Sequence, residues 1–338
     1  IVKGEGTYIL QGELSEGQVI VDASDTDKIR LIFNGVSISC ATSAAIYVKQ
    51  ADKVFITLSP DTNNMLVNID DNHIDSVIFS KADLTLNGSG SLTVKSAYGH
   101  GIVSKDDLVI TGGVYNITSQ SHGLNGKDSV RITDATFTVA SGKDCIHAEN
   151  KDDENSGFVY IYSGNFNLKS DGDGVSAAYS LQIEGADMTI EAGSNTDTST
   201  NTSSKGIKVS GNLLINGGNF AVNSGDDTIH SNSNIEIGGG TFLLNSGDDG
   251  IHADGNLKIN GGEIKVSESY EGLEGQSMDI CAGTISVKAD DDGLNAAGGN
   301  DQSGFYGRGG MQKDMFASDD NCYINISGGF IEIDSGGD

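Results

Sequence analysis

The most restrictive feature of this sequence is a motif that recurs about every 22 residues. It reads apolar-x-Ile-x-Gly-Gly-x-apolar-x-apolar, and its central isoleucines are Ile110, Ile132, Ile161, Ile183, Ile215, Ile237, Ile259, Ile280 and Ile326. Their spacings are 22, 29, 22, 32, 22, 22, 21 and 46 residues, a base period of 22 with insertions. Such a repeat predicts a stack of similar units, each of which buries its apolar face against its neighbours.

A second pattern runs in phase with the first, a small residue followed by an aliphatic one. We call the small residues the column residues; they are Gly101, Gly123, Cys145, Gly174, Gly206, Thr228, Gly250, Gly272 and Gly293. At ~3.3 Å per residue, 22 residues trace roughly 73 Å of strand, which suits one turn of a three-sided coil. Capped helical patterns do not separate the strands, so βαβ units are disfavoured. The sequence therefore predicts an all-β fold, a right-handed parallel β-helix (solenoid) of about a dozen coils.

We expect a single β-helix domain over residues 1–338, because no linker interrupts the two patterns. Residues 1–38 are less regular and are expected to form an N-terminal cap and the first coil. Three insertions break the period and are predicted to be loops, at residues 149–157, 192–204 and 297–321. The chain starts without Met and stops in the lead-in to another Asp-Gly turn, so we expect a processed or truncated start and further residues after Asp338.

The charge of the chain limits its partners. It has 48 acidic and 20 basic side chains, a formal net charge of −28. Binding to nucleic acid needs clustered Lys and Arg and is therefore not expected. Anionic membrane surfaces are disfavoured for the same reason, and no apolar run approaches the roughly 18 residues of a spanning helix. We expect a monomer.

The strongest chemical signal lies immediately before the column residues, where most coils carry an acid. With the acids one position earlier, the predicted metal ligands are Asp144, Asp173, Asp226, Asp227, Asp248, Asp249, Glu271, Asp291 and Asp292. Coils about 4.8 Å apart would stack these carboxylates, and each adjacent pair would cost roughly 3 kcal/mol at an effective dielectric of 20. A divalent cation reverses that repulsion, and oxygen ligands favour Ca²⁺. The simpler interpretation is that the acids solvate a turn, but the recurrence of doubled aspartates favours calcium.

Polar side chains also occupy the position two residues after the column residue, among them His230, His252, Glu274 and Asn295. In a strand whose aliphatic side chains point inward, this position points outward. We therefore expect an exposed polar stripe beside the acids that contributes to ligand binding. Zinc binding by His230 and His252 is one interpretation, and a hydrogen-bonding stripe, which we favour, is the other.

Three segments resemble the repeat core of a secreted bacterial carbohydrate-binding β-helix family: residues 80–94 (SKADLTLNGSGSLTV), 100–102 (HGI) and 108–113 (LVITGG). The resemblance extends from about Gly6 to Asp338. It implies a polysaccharide-lyase-like fold, an extracellular or cell-surface location, calcium in the coil turns, and attachment to cellulose or to acidic plant polysaccharides such as polygalacturonate. By this resemblance the calcium role falls on Asp226, Asp227, Asp248, Asp249, Glu271, Asp291 and Asp292. Departures at Lys205, Thr228 and Glu271 leave the number of ions open.

Catalysis is less expected than binding. Residues 195–197 (NTD), 225–227 (GDD) and 99–101 (GHG) are similar to polygalacturonase motifs, but their order is wrong and the repeat duplicates the second at residues 247–249. A Ca²⁺-dependent pectate lyase is the alternative, with Lys208 or Lys205 as its base. A second alternative is a calcium-stabilised adhesin or surface spacer that binds no sugar.

Aromatic side chains offer a second type of sugar contact, because pyranose rings stack on flat aromatic faces. The chain has no tryptophan, but Tyr160 and Tyr162 are expected to face outward and to form a small platform. Ordinary cross-strand packing is the other interpretation of this pair. Tyr306, in the Gly-rich third insertion, is a further candidate, either in a lid or in a surface excursion.

Overall fold

The computed structural model describes residues 1–69, 74–193, 204–296 and 321–337. All of the regular structure in these residues is β-strand, and no helix occurs among them. The chain divides into two compact units, Ile1–Ser170 with Ser176–Ala178 (unit 1) and Asp171–Val175 with Tyr179–Asp338 (unit 2). The predicted all-β class is confirmed.

Unit 1 contains the first 18 strands in chain order and most of the nineteenth. They are β1 Gly6–Leu14, β2 Val19–Asp22, β3 Lys28–Cys40, β4 Ile46–Gln50, β5 Lys53–Leu58, β6 Asn63–Asn68, β7 Ser76–Ser80, β8 Asp83–Gly88, β9 Ser91–Ser96, β10 His100–Ser104, β11 Asp107–Thr111, β12 Val114–Ser119, β13 Leu124–Gly126, β14 Ser129–Thr133, β15 Ala135–Ser141, β16 Ile146–Ala148, β17 Phe158–Ile161, β18 Gly164–Ser170 and β19 Val175–Ala177.

The strands of unit 1 pair in parallel with the strand one coil away. From β4 onward each strand pairs with the third strand after it, so that β9, β12, β15 and β18 form one continuous ladder. The register carries Tyr115 onto Phe137 and Phe137 onto Phe166. These buried rings stack with centroids 5.0 and 5.3 Å apart, while the intervening threonines of β15 face water. Residues 1–38 hold β1, β2 and most of β3, and β1 already pairs in parallel with β3.

Unit 2 contains the remaining strands. They are β20 Ser180–Ile183, β21 Asp187–Ala192, β22 Ile207–Val209, β23 Leu213–Ile215, β24 Asn219–Ser224, β25 Ile229–Ser231, β26 Ile235–Ile237, β27 Thr241–Ser246, β28 Ile251–Ile259, β29 Glu263–Glu268, β30 Leu273–Ile280, β31 Thr284–Ala289, β32 Leu294–Asn295, β33 Tyr323–Ile326 and β34 Phe330–Ser335.

The strands of unit 2 also pair in parallel with equivalent strands of the neighbouring coils. One ladder joins β22, β25, β28, β30 and β32 and aligns Ile207, Ile229, Ile251, Leu273 and Leu294, the aliphatic residues that follow the column residues. A 22-residue offset between paired strands reproduces the sequence period, because a parallel ladder links equivalent positions of successive repeats. The predicted stacking of repeats in parallel is therefore confirmed.

The second glycine of each Gly-Gly pair makes a turn that other residues rarely adopt. Gly240 has φ of +111°, and a Cβ there would lie 2.9 Å from the carbonyl oxygen of Gly218 in the preceding coil. A left-handed conformation and a close backbone approach both select glycine at this position. The motif therefore fixes where each coil turns.

The predicted insertions are only partly covered by the described residues. Residues 149–157 contain no strand and lie between β16 and β17. Strand β21 extends to Ala192, the first residue of the second predicted insertion. The third insertion, including Tyr306, lies outside the described residues apart from Asn321. Among the parts of the chain that the structure describes, there is no helix long and apolar enough to cross a membrane.

Candidate functional site

The residues that precede the column residues form one row in unit 2. The amide of Gly206 donates to the carbonyl of Asp227 at 3.0 Å, and the amide of Gly250 donates to the carbonyl of Glu271 at 2.9 Å. These bonds fix the register of successive coils, so side chains in the row follow one another at the spacing of adjacent strands. We call this row the acidic column; it contains Asp173, Lys205, Asp227, Asp249, Glu271 and Asp292.

Some acids of the acidic column accept a backbone hydrogen bond from the next coil. Asp173 Oδ1 accepts from the amide of Lys205 at 2.8 Å, and Asp227 Oδ1 accepts from the amide of Asp249 at 3.2 Å. The ammonium of Lys205 has no acceptor to offer, and the amide of Asp227 donates instead to Asp226 Oδ1 at 3.1 Å. The position therefore favours side chains with an acceptor, because a buried amide needs a partner.

The acids of the acidic column are buried rather than spread over a surface turn. Asp227, Asp249 and Glu271 expose 2%, 4% and 2% of their surface. A carboxylate that only solvates a turn faces water, whereas a buried one needs hydrogen bonds and positive charge. Solvation of the turn is therefore the wrong interpretation for these three residues.

Lys205 supplies a positive charge inside the acidic column. Its Nζ lies 2.9 Å from Asp226 Oδ1 and also contacts Asp227 Oδ2. Burial alone would lower the pKa of Lys205, but the charges of Asp227 and Asp226 raise that pKa above its ordinary value. The lysine is therefore a stable cation that offsets the repulsion between these two carboxylates.

Two histidines stack beside the acidic column, with ring centroids 4.8 Å apart. Nδ1 of His230 lies 2.7 Å from Asp227 Oδ2, and Nδ1 of His252 lies 2.9 Å from Asp249 Oδ2. Each ring thus reaches back to the acid three residues earlier in its own coil. The 22-residue repeat places the two pairs directly one above the other.

His252 contacts two further carboxylates. Its Nδ1 lies 2.6 Å from Glu274 Oε2, and its Nε2 lies 3.1 Å from Asp254 Oδ1. We call Asp249, His252, Asp254 and Glu274 the His252 cluster. Burial alone would lower the pKa of His252, but Asp249 and Glu274 raise this pKa to about 12. The ring is therefore a positively charged imidazolium at neutral pH.

The pKa values of two successive aspartates move in opposite directions. Burial would raise the pKa of Asp227, but the hydrogen bond from His230 and the charge of Lys205 hold it well below its usual range. Burial, followed by the charges of Asp227 and Glu274, raises the pKa of Asp249 well above its usual range despite its bond to His252. Two contacts account for the difference: the ammonium of Lys205 lies at Asp227, and the carboxylate of Glu274 lies near Asp249.

The prediction of an exposed polar stripe is wrong. Glu274 is fully buried, and His230 and Asn295 expose 8% and 6% of their surface. These side chains lie on the strand face opposite the aliphatic residues, as the alternation predicts. They are nevertheless covered by neighbouring polar side chains: His230 contacts Asp227, Asn295 contacts Glu271 and Glu274 contacts His252.

Comparisons with known proteins agree with this architecture. A family model described as carbohydrate-binding domain-containing protein matches residues 1–250. The chain belongs to this carbohydrate-binding domain family. A protein of the same description from Acetivibrio thermocellus is 35% identical over 196 residues, which cover 56% of this chain and 68% of that protein.

A solved structure is also similar, that of a polysaccharide lyase-like protein from C. thermocellum, obtained as a gadolinium derivative. The sequences are 30% identical, and the TM-score is 0.57. The match covers 63% of this chain and 85% of the other. The chain therefore shares a polysaccharide lyase-like fold with this protein.

In this member of the carbohydrate-binding domain family, the C-terminal predicted acids receive hydrogen bonds from neutral side chains. Asn295 Nδ2 donates to Glu271 Oε2 at 2.8 Å, and the hydroxyl of Tyr270 donates to Asp291 Oδ2 at 2.9 Å. Asp292 is half-buried. The partners of the acidic column thus change along its length, from the ammonium of Lys205 at Asp227 to the amide of Asn295 at Glu271, and the adjacent Asp291 accepts from a phenol.

The remaining predicted metal ligand, Asp144, lies in unit 1 among stacked histidines. His147 Nδ1 and His122 Nδ1 are 2.9 and 3.4 Å from Asp144 Oδ2. The amide of Asp144 donates to His122 Nδ1 at 3.2 Å, and the amide of His122 donates to His100 Nδ1 at 3.2 Å. Burial, together with the neighbouring His147, lowers the pKa of His122 to about 4. His122 is therefore neutral at pH 7.

The predicted aromatic platform is split between two environments. Tyr160 lies on β17 and is half-buried, in register with Arg131 of β14. Tyr162 follows the end of β17 and exposes 58% of its surface. Of the pair, Tyr162 is the one that offers a ring to an external partner.

Sequence reasoning missed two side chains of the candidate sites. Some groups of three described residues bring potential metal-ligand atoms within 4.8 Å of one another. They are His122, Asp144 and His147; Asp227, His230 and His252; Asp249, His252 and Glu274; and Asp226, Asp227 and Asp248. His122 was visible as a histidine in the position otherwise held by acids. Asp254 was visible two residues after His252, on the same strand face.

Proposed function

We propose that this chain is a non-catalytic extracellular carbohydrate-binding protein with a right-handed parallel β-helix fold. Its Asp-Gly turns hold Ca²⁺, and its ligand is a plant cell-wall polysaccharide, cellulose or an acidic polymer of the polygalacturonate type. The observation that carries this proposal is the buried, in-register acidic column of unit 2. Membership of a carbohydrate-binding domain family supports the ligand class.

The calcium part of the proposal rests on grouped carboxylate oxygens. Asp226, Asp227 and Asp248 each offer an oxygen within 4.8 Å of the others. Ca²⁺ binds oxygen ligands at about 2.3–2.6 Å with a flexible coordination number, so ligands of this spacing fit with small adjustments. Gadolinium, present in the derivative of the related structure, is a hard cation with the same preference for oxygen, which supports a hard-cation site.

Lys205 competes with calcium at this group. Its ammonium already contacts Asp226 and Asp227, so an ion there has to displace it. Beyond Asp227 the acidic column continues as Asp249, Glu271 and Asp292 without another lysine. Calcium therefore fits best toward the C-terminal end of the acidic column, at Glu271 and Asp292 and the adjacent Asp291.

Calcium also explains how so acidic a protein binds an acidic polymer. A net charge of −28 repels a polyuronate, whereas an ion held by the protein accepts a uronate carboxylate as an additional ligand. The exposed ring of Tyr162 provides a stacking surface for a neutral polymer such as cellulose.

Retention on insoluble cellulose and on immobilised polygalacturonate, each with Ca²⁺ or with EDTA, tests this proposal. The double variant Asp291→Asn with Asp292→Asn should lose retention on polygalacturonate in calcium. Asp25→Asn, which removes an exposed acid in unit 1, is the matched control and should retain it. If the protein bound neither polymer in either buffer, the proposed polysaccharide ligand would be refuted. If calcium still raised the melting temperature in that case, the adhesin or spacer alternative would replace it.

The lyase alternative depends on a lysine that can act as a base. Lys205 is unsuited because its raised pKa keeps it protonated. Lys208, whose Nζ lies 3.7 Å from Asp173 Oδ2, is the remaining candidate. A lyase would release unsaturated oligouronates that absorb in the ultraviolet, and Lys208→Ala would abolish this product.

A further inference from the structure

The His252 cluster directs one ring nitrogen at two buried carboxylates. His252 Nδ1 is 2.6 Å from Glu274 Oε2 and 2.9 Å from Asp249 Oδ2. One N–H cannot point directly at both oxygens, so the two carboxylates compete for a single donor. A second close anion on the same nitrogen is the arrangement expected where a metal ion shares the three atoms.

Buried oxygens with few or no partners surround this nitrogen. Glu274 Oε2 has only the ion pair with His252 Nδ1, and Glu274 Oε1 and Asp249 Oδ1 accept no hydrogen bond from the described residues. Glu274 is 0% exposed and Asp249 is 4% exposed, so solvent does not compensate them. Buried carboxylate oxygens normally have partners, and these three are therefore candidates for metal ligation.

The opposite side of the ring is fixed as in a metal-bound histidine. Nε2 of His252 lies 3.1 Å from Asp254 Oδ1. A carboxylate that accepts the Nε2–H holds that proton on Nε2, so the ring can bind a metal through Nδ1 once the metal displaces the Nδ1 proton. Among the described residues, His230 contacts the carboxylate of Asp227 through Nδ1, whereas His252 contacts carboxylates through both ring nitrogens, so the two stacked histidines differ in this respect.

We propose that the His252 cluster binds a divalent transition-metal ion of the zinc class through His252 Nδ1, Asp249 and Glu274, with Asp254 orienting the ring. The three ligand atoms lie within 4.8 Å of one another. Zinc–nitrogen and zinc–oxygen bonds of about 2.0–2.2 Å place ligand atoms roughly 3.3 Å apart around a tetrahedral ion. The present distances of 2.6 and 2.9 Å reach that value with shifts of well under 1 Å.

Charge balance favours a dication over a proton at this position. Asp227 is already paired with Lys205, which leaves Asp249 and Glu274 to share the single positive charge of His252. A divalent ion bound to a neutral imidazole balances both carboxylates. An imidazole ligand also separates this site from the proposed calcium turns, because Ca²⁺ prefers oxygen and zinc-class ions accept nitrogen. Metal binding at the His252 cluster is independent of the proposed carbohydrate binding.

Isothermal titration of the purified chain with Zn²⁺, in an excess of Ca²⁺ that saturates oxygen-only sites, tests the proposal. The wild type should bind Zn²⁺, and His252→Asn and Glu274→Gln should each lower the stoichiometry by one. Asp254→Asn should weaken Zn²⁺ binding at the His252 cluster about 10–100-fold. Asp25→Asn is the control, because it removes an exposed acid of unit 1 and should leave this binding unchanged. An unchanged zinc stoichiometry in His252→Asn would overturn the assignment.

A measurement on the wild type keeps the test decisive if a cluster variant fails to fold. X-ray absorption at the zinc edge of protein loaded with one equivalent should show one imidazole and two or more carboxylate oxygens in the first shell. A shell of water oxygens without imidazole would overturn the proposal, as would the absence of any Zn²⁺ uptake in excess Ca²⁺.

Discussion

His122 of unit 1 and His252 of unit 2 occupy the same repeating framework, but at neutral pH the first is uncharged and the second is positively charged. His122 is surrounded by His100, His147 and a single carboxylate, Asp144, and its pKa falls to about 4. His252 is surrounded by three carboxylates within 3.1 Å, and its pKa rises to about 12. A histidine in this fold is therefore neutral or charged according to the side chains of neighbouring coils.

The hydrogen bonds of the two histidines explain the difference. His122 Nδ1 accepts from the amide of Asp144, and protonation of Nδ1 would destroy that bond. His252 Nδ1 instead faces two carboxylate oxygens, which require a positive partner. The first ring accepts a hydrogen bond from a backbone amide, and the second ring is a counter-ion for carboxylates. The same substitution, His to Asn, made at each position in turn separates the two roles.

The largest expected effect is that of His252→Asn. Removal of its charge leaves buried Asp249 and Glu274 without a counter-ion and should lower the free energy of unfolding by ~3–5 kcal/mol in EDTA at neutral pH. His122→Asn should cost less than about 1.5 kcal/mol, because Asn Oδ1 still offers an acceptor to the amide of Asp144. Urea denaturation of both variants measures the difference. Equal losses would show that the two sites do not differ in charge.

Lys205→Met should have the next largest effect. The loss of its ammonium leaves Asp226 and Asp227 in mutual repulsion, with an expected loss of roughly 3 kcal/mol in EDTA. Calcium should restore more stability to this variant than to the wild type, because the competing cation is gone. Thermal denaturation with and without Ca²⁺ measures this. A calcium response equal to that of the wild type would argue against an ion at these two aspartates.

Acid should destabilise the protein through His122. Its pKa is lowered to about 4 in the fold from 6.5 in the unfolded chain, so the unfolded chain binds the proton more tightly. Stability is therefore complete above pH 6.5 and declines as the pH falls toward 4, by at most about 3 kcal/mol. His122→Asn should flatten the pH profile in this window, measured by denaturation at several pH values. An unchanged slope would assign the acid sensitivity to other groups.

The smallest expected effect concerns His100, which caps the amide of His122 at 3.2 Å. His100→Ala removes the acceptor and should cost about 1–2 kcal/mol, whereas His100→Asn keeps one and should cost less than about 0.5 kcal/mol. Amide hydrogen exchange at residue 122 reports on the bond directly. Faster exchange in both variants alike would mean that Asn does not replace the acceptor.

The fold could be predicted from the sequence to a large extent. The period of 22, the Gly-Gly turns and the small column residues specify parallel stacking, because each requires that equivalent positions of successive coils meet. The alignment of Asp227, Asp249 and Glu271 followed from the same register. Their roles as metal ligands stay predictions.

The environment of the site could not be predicted. Strand alternation placed His230, Glu274 and Asn295 away from the aliphatic interior, and exposure was the natural expectation. Their burial depends on contacts with neighbouring polar side chains, which are not a property of the strand period. The same is true of Lys205, which appeared as a departure from the acidic pattern and proves to be a partner within it.

The sequence by itself determined the repeat, the parallel register and the row of acids, since backbone hydrogen bonding between equivalent positions allows few other arrangements. Only the tertiary structure decided which of these groups are charged. Electrostatic energies change by several kcal/mol when a partner moves by a few ångströms or leaves water. That is why a histidine that accepts a hydrogen bond from a backbone amide in unit 1 is neutral, whereas a histidine that contacts carboxylates in unit 2 is charged.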